Sequence, residues 1–309
     1  MKNIGILYCP NHRPFMSAAK RWKKIAAALD AHGIEYDMIQ SESSGSVERL
    51  VTMLINNGYK TIIIAGGDSA LNDAINCLMR VEQQVRDKVL LGVIPNGTMN
   101  DFALFWGLNY HDVDYAVASI KQCRIRKIDV GCIRYIDDKQ KYKVRYFINS
   151  INIGLLASIQ KLKQETRRRL WSRKLSFVIS ALILLFFKKF FKVQYTINYV
   201  CEKHRISTLC IGSAFGYGQT PNAVPYNGML DVTVVKHSAL SEIAGGLYLF
   251  ARGKILNHKQ IMPYRSRNIE LEVPATTPLS IDGHPMETPR GVFNVSVQQE
   301  QINFIIEKQ

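Results

Sequence analysis

Along the first part of the chain, hydrophobic positions switch between two spacings, one suited to strands and one to helices. Ile4–Tyr8 is a short apolar run. Ala18, Ala19, Trp22, Ile25, Ala26 and Leu29 then recur at helical spacing over Ser17–His32, and Gly33 follows as a stop. Glu35–Ile39 predicts a second strand, and Ser46–Asn56 a helix closed by Asn57-Gly58. Thr61–Ala65 and Val89–Ile94 are β-branched runs that predict buried strands; helices are expected over Ala70–Met79 and Asp112–Lys121. Such alternation implies right-handed βαβ units and a parallel sheet.

After Cys123 the period changes. Ile125–Tyr135, Lys141–Ile151, Val193–Glu202, His204–Gly212, Met229–Lys236, Asn268–Val273, Leu279–Ile281 and Val292–Val297 all read as strands. Asp137-Asp138 and Asn227-Gly228 supply hairpin-type breaks. The expected architecture is therefore α/β: a parallel α/β domain over 1–125, joined again by 298–309, and an antiparallel β-sandwich over 126–297.

One segment interrupts the β pattern. Between residues 161 and 192 the apolar core Phe177–Phe187 is flanked by ten Lys/Arg and a single acidic residue, Glu165. Its length falls short of the ~20 residues that cross a bilayer. Two readings stay open: an amphipathic basic helix lying on an anionic membrane surface, or a helix packed on the β domain with a solvated basic rim. The whole chain adds to the first, because 40 Lys+Arg against 25 Asp+Glu give a net charge of +15 over 309 residues. A nucleic-acid partner fits less well, since the basic residues centre on an apolar helix and not on an aromatic sheet face. Six scattered cysteines without C-x-x-C spacing suit a reduced, cytoplasmic setting. The opening residues lack the pattern of a secretory leader.

Chemistry concentrates at two turns. Ala65-Gly66-Gly67-Asp68-Ser69-Ala70-Leu71-Asn72-Asp73 follows one buried run, and Ile94-Pro95-Asn96-Gly97-Thr98-Met99-Asn100-Asp101-Phe102-Ala103 follows the next. Glycine at a strand's carboxyl end lets backbone N–H groups approach phosphate. Two such turns one βα unit apart suggest a phosphate cradle.

The residues resemble the diacylglycerol kinase catalytic-domain family. Gly66-Gly67-Asp68 with Leu71-Asn72 is similar to its GGDGTxNE motif, and Pro95 to Ala103 to its P-x-G-T-x-N-D-F-A. Asp129-Val130-Gly131 resembles its D-x-G strand. Phe147-Ile148-Asn149-Ser150 with Ile153-Gly154 resembles F-x-N…G, Asn227 to Val232 resembles D-G-x-L-D-V, and Ile281-Asp282-Gly283 resembles the start of D-G-E. The likeness runs over nearly the whole chain and implies a Rossmann-like nucleotide-binding domain, ATP and Mg2+ as cofactors, and phosphoryl transfer to a lipid hydroxyl. It places Gly66, Gly67, Asp68 and Ser69 along the nucleotide, with Ser41 after the second strand. Gly97 and Thr98 fall beside the phosphates, Asn72 and Asn100 hold the loops, and Asp101 lies near the metal and phosphate. Asp282 becomes the general base. A structural Mg2+ would fall to Asn227, Asp231 and Asp129, although both aspartates also read as strand-end or turn carboxylates.

Departures cluster at the chemistry. Ser69 and Ala70 replace a Gly and a Thr; Ser69 puts a Cβ where φ could be positive. The N-terminal phosphate loop is Cys9-Pro10-Asn11-His12-Arg13, without its Gly. Asn227 removes a carboxylate from the expected metal site. His284 stands in place of the Glu of D-G-E, either as a base near neutral pH or as a space-filling residue. An active kinase at a membrane surface, an impaired relative that binds nucleotide or lipid, and a kinase for a soluble metabolite such as NAD all remain in view. Strand edges in the β domain leave room for a homodimer.

Overall fold

The computed structural model describes residues 3–10, 17–97, 99–137, 139–159, 190–215, 219–236, 254–289 and 291–307, with positions 245 and 249. The chain divides into two compact units, Met1–Val130 with Gln299–Gln309, and Gly131–Gln298.

The first unit is built on parallel strands β1 (Ile4–Tyr8), β2 (Asp37–Gln40), β3 (Thr61–Gly66) and β4 (Leu90–Pro95) in the order β2-β1-β3-β4. Between them run helices α1 (Ala18–Ala31), α2 (Val47–Asn56), α3 (Asp68–Arg80), the short α4 (Gln83–Arg86), α5 (Asp101–Phe105) and α6 (Val113–Gln122). Each side of the sheet takes alternate residues of every strand. Ile6, Tyr8, Ile63, Ala65 and Ile94 pack with Ile25 and Leu29 of α1 and Val113, Val117 and Ile120 of α6. Gly5, of opposite parity, leaves room for Leu54 of α2: a Cβ there would lie 2.7 Å from the Leu54 side chain. Ser17 caps α1, its side chain accepting from Lys20 N.

The second unit is antiparallel. Strand β5 (Ile125–Ile136) begins in the first unit and pairs in the second with β6 (Tyr142–Phe147). Strands β7 (Ser150–Gly154), β8 (Phe191–Ile197), β9 (Val200–Gly212), β10 (Leu230–Lys236), β11 (Ile261–Ser266), β12 (Asn268–Glu272), β13 (Leu279–Ile281), β14 (His284–Met286) and β15 (Val292–Ile305) follow. The long β9 pairs with β8 along its first half and with β7 and β10 along its second. Their inward residues, among them Phe147, Tyr195, Leu209, Val232, Leu271 and Phe293, form one buried cluster.

Three expectations for the elements are corrected. The strand expected over Lys141–Ile151 is two, parted at Ile148-Asn149, where the backbone N–H groups turn to a side-chain carboxylate. The break expected after Glu202 lies earlier. Asn198 and Tyr199, both with positive φ (51° and 68°), make a tight turn with no glycine to announce it. The strand expected to end at Val297 runs on to Ile305 as one strand, β15, whose last residues lie parallel to β4 through Asn303↔Leu90 and Phe304↔Leu91.

Candidate functional site

The first cluster grows from strand register. β3 and β4 run level, with Ala65 opposite Ile94 and Gly66 opposite Pro95, so both chains leave the sheet side by side. Asn96 N donates to Gly66 O (2.8 Å) and Cys9 N to Ala65 O (2.9 Å), which joins the ends of β1, β3 and β4. The two glycine turns then touch: a Cβ on Gly67 would stand 2.7 Å from Gly97 Cα. Close approach is the reason for glycine here, because neither residue has positive φ.

Side chains lock this contact. Asn100, in the left-handed region at φ 57°, accepts from Gly97 N at 2.7 Å and donates to Gly97 O at 3.2 Å. The Asp68 carboxylate accepts from Asp101 N and Phe102 N, both at 3.0 Å, and so caps α5. Asp68 is therefore turned toward the second loop and not simply laid along a ligand. Asp101 is buried in the first turn of α5. Asn72 is wholly buried on α3, where its Oδ1 accepts from Asn76 at 3.1 Å. Ser41 is also buried, its hydroxyl donating to the O of Ser43 (2.7 Å), the N-cap of the Ser44–Ser46 turn. Thr98 lies outside the described residues.

Ser69 corrects an expectation. It sits exposed inside α3, without positive φ, and so its Cβ carries no backbone strain. Gly67 begins α3 as an N-cap with no side-chain bond to the helix. The first-turn N–H groups there carry the positive end of the helix dipole.

Sequence reasoning missed Arg21. Buried at 3% exposure, it sends Nη2 to Pro95 O and Tyr110 O (both 2.8 Å) and Nε to Asn96 Oδ1 (3.3 Å). Asn96 in turn donates from Nδ2 to Cys9 O at 2.9 Å. The signal was present: Arg21 falls on the stripe of Ile25 and Leu29, four and eight residues on, where a solvated arginine would not be. Cys9 stands nearby, but burial first, and Asp73 next, push its thiol up to about 12, which rules out an active thiolate.

The second cluster lies in the β unit. Asp282, at φ 45° in the β13–β14 hairpin, directs its carboxylate back to the parting of β6 and β7. There it accepts from Ile148 N (2.9 Å), Asn149 N (3.0 Å) and Ser150 N (2.8 Å). Its own N donates to Ser150 O. This carboxylate thus has a structural task, stitching two segments more than 130 residues apart. His284, two residues on, keeps Nδ1 shielded from solvent with no hydrogen-bond partner among the described residues. Burial, and then the charge of Arg145, hold its pKa below the ordinary histidine value, against a smaller opposing effect of the Ile281 backbone. That direction favours the uncharged ring near neutral pH.

The residues expected to hold a structural metal do not fit one. Arg265 Nε reaches Asp231 Oδ1 at 2.7 Å and Nη2 reaches Oδ2 at 3.3 Å, so a guanidinium already occupies this carboxylate. Asn227 is exposed, and its Oδ1 accepts from Met229 N at 3.0 Å to close a turn. Asp129, in the first unit, accepts from Glu300 N at 2.9 Å. Among the described residues no three His, Cys, Asp or Glu side chains gather as a metal cluster. No described helix is long and apolar enough to cross a membrane, and of the basic segment 161–192 only residues 190–192 are described.

Known proteins share the fold. The family model "Diacylglycerol kinase catalytic domain" matches residues 16–133, and "YegS C-terminal NAD kinase beta sandwich-like domain" matches 149–302. Residues 16–133 thus belong to the diacylglycerol kinase catalytic-domain family, and residues 149–302 to the companion C-terminal family. It is similar to a probable lipid kinase YegS-like of Shewanella frigidimarina, 26% identical over 87% of this chain and 84% of that protein. It is also similar to a diacylglycerol kinase of Bacillus subtilis, 23% identical over 92% of this chain and 90% of that one. In fold it matches a putative diacylglycerol kinase from Bacillus anthracis with a TM-score of 0.75, at 19% identity, over 99% of this chain and 97% of that one. A yeast NADH kinase shares the fold more distantly, with a TM-score of 0.54 at 9% identity, covering 99% and 84%. The family is one of lipid kinases, phosphotransferases that use a nucleotide donor.

Proposed function

We propose that this family member transfers the γ-phosphoryl group of ATP to the hydroxyl of diacylglycerol or a related lipid, as a peripheral protein at an anionic cytoplasmic membrane surface. The observation that carries the reading is the interlocked pair of glycine turns, Gly67 on Gly97, fixed by Asn100 and Asp68. Gly66, Gly67 and Gly97 keep side chains away from the phosphates, and the first-turn amides of α3, from Asp68 and Ser69 onward, donate to them. Asp101 flanks the same phosphates, and the family motif gives Thr98, outside the described residues, the same role. Arg21 and Asn72 act from behind the turns and hold them in place, a role in which phosphoryl transfer is served by positioning. Mg2+ bound with the nucleotide supplies charge neutralisation on the transferred group.

For the acceptor, the geometry favours a division of labour between the two candidate bases. Asp282, with three backbone N–H groups on its oxygens, positions the Ile148–Ser150 backbone. His284, its pKa held below the ordinary histidine value, takes the hydroxyl proton as the oxygen attacks and ADP leaves. The second reading, a nucleotide- or lipid-binding module without turnover, draws its support from the same engagement of Asp282.

The test is phosphate transfer from γ-labelled ATP, with detergent-dispersed diacylglycerol and, separately, NAD as acceptors. Labelled lipid supports the proposal. ATP–Mg2+ stabilisation without labelling of any lipid hydroxyl, of the same size in His284→Gln as in the parent, supports the binding module. Labelled NAD, with no flotation of the protein on anionic vesicles, supports a soluble acceptor.

A further inference from the structure

The β10–β11 ladder places Asp231 and Arg265 directly opposite each other. Asp231 is almost wholly buried, whereas Arg265 reaches in from an exposed position with its side chain about half covered. Two nitrogens meet two carboxylate oxygens, and Nη2 also donates to Asn222 O at 3.3 Å. The guanidinium therefore ties three things together: strand β10, its own strand β11, and the loop that precedes β10. On that loop Asn227 is engaged with Met229 N, and Gly228 turns the chain at φ 70°.

A divalent cation at this place would do comparable work, drawing a carboxylate and loop oxygens to one point charge. Its donor set is not here. Asn227 offers a neutral oxygen already accepting a bond, and the charge of Asp231 is already matched. A planar fork with fixed donors suits a carboxylate better than a lysine would. The hydrogen bond and charge of Asp231 in turn hold the guanidinium pKa above its ordinary value, so the cation is permanent at any physiological pH.

We propose that Arg265 is an internal cation that takes the place of a structural divalent ion, so that the β unit folds without metal and opens a metal-binding carboxylate only when Arg265 is removed. The proposal goes beyond the kinase reading and stands or falls without it, because its readouts need no substrate.

The experiment uses nucleotide-free, full-length protein. Metal analysis of the unmodified chain, purified without chelator, is expected to find substoichiometric Mg2+, Ca2+ and Mn2+, and its melting temperature is expected to be the same in EDTA and in millimolar Mg2+. Arg265→Met keeps length and removes charge, leaving Asp231 unpaired. Its melting temperature should fall by at least roughly 2–4 °C in EDTA and rise saturably with Mg2+. Arg265→Lys should stay insensitive to Mg2+. Stoichiometric bound metal in the unmodified protein, or an EDTA-induced loss that Mg2+ restores, would overturn the proposal even if Arg265→Met did not fold. So would a folded Arg265→Met that ignores Mg2+.

Discussion

Replacing Gly67 by alanine tests the central contact of the first cluster. The new Cβ would lie 2.7 Å from Gly97 Cα and 3.5 Å from Gly97 N. Carbon atoms pack at about 3.5–4.0 Å, so one turn must withdraw by about 1 Å. It cannot do so alone, because Asn100 brackets Gly97 and Asp68 anchors the start of α5. Overpacking of this kind costs about 2 kcal/mol, which lowers Tm by roughly 6–8 °C in a unit of this size. The strain falls on the amides assigned to phosphate, so stabilisation by ATP–Mg2+ should shrink as well. Gly45→Ala is the control. Only Ser43 Oγ comes within 4.0 Å of its Cβ and its φ is not positive, so the change should be near neutral. Scanning calorimetry with and without ATP–Mg2+ reads both effects. A Gly67→Ala protein with the Tm and nucleotide shift of Gly45→Ala would refute the argument from close approach.

Other variants probe the remaining supports. Arg21→Lys cannot reach Pro95 O and Tyr110 O together; it should lose about 2–3 kcal/mol in denaturant titration and weaken nucleotide stabilisation. Asp282→Asn should destabilise by about 2–4 kcal/mol, because an amide offers one acceptor oxygen to backbone donors that now share two; a stability equal to the parent would remove its positioning role. For His284 the folded-state pKa lies below the unfolded value, so the unfolded chain binds the extra proton as pH falls from about 6.5. Stability should therefore drop through that window and level off below the folded pKa, and His284→Gln should remove this contribution from the pH-dependent melt. The same variant should lower lipid phosphorylation by roughly 10²–10⁴-fold and erase the acid limb of kcat/KM; an unchanged limb assigns the proton to another group.

The parallel unit was readable because its strands are short, buried and punctuated by glycine. Ile4–Tyr8 was placed to the residue, and helix α1 to within one residue at either end of its capped range. The β unit was less legible where turns carry no glycine or proline. Asn198-Tyr199 adopts positive φ through strand twist, and β11 (Ile261–Ser266) contains Pro263, which disguises a strand with a free N–H side. At the candidate site, motif spacing located the turns but not their partners. That Asp68 faces α5, that Arg21 lies beneath Pro95, and that Asp231 meets Arg265 are long-range facts of packing. No local period encodes a contact between residues 34 positions apart.

Strand β15 has a consequence for how the protein is made. Its last residues, including the buried Phe304 and Ile305, complete the sheet and core of the unit whose other strands are near the chain's beginning. Phe304 packs edge-on against Phe102, 5.2 Å between ring centroids. During synthesis, the first unit to emerge from the ribosome therefore waits for residues 299–309 before it can close. At ordinary elongation rates that wait is on the order of ten to thirty seconds. Throughout it, the flank of β4 that β15 will cover stays unpaired. A fragment ending at Val130 would stay in that unfinished state for good. The order of translation and the order of completion are reversed in this molecule.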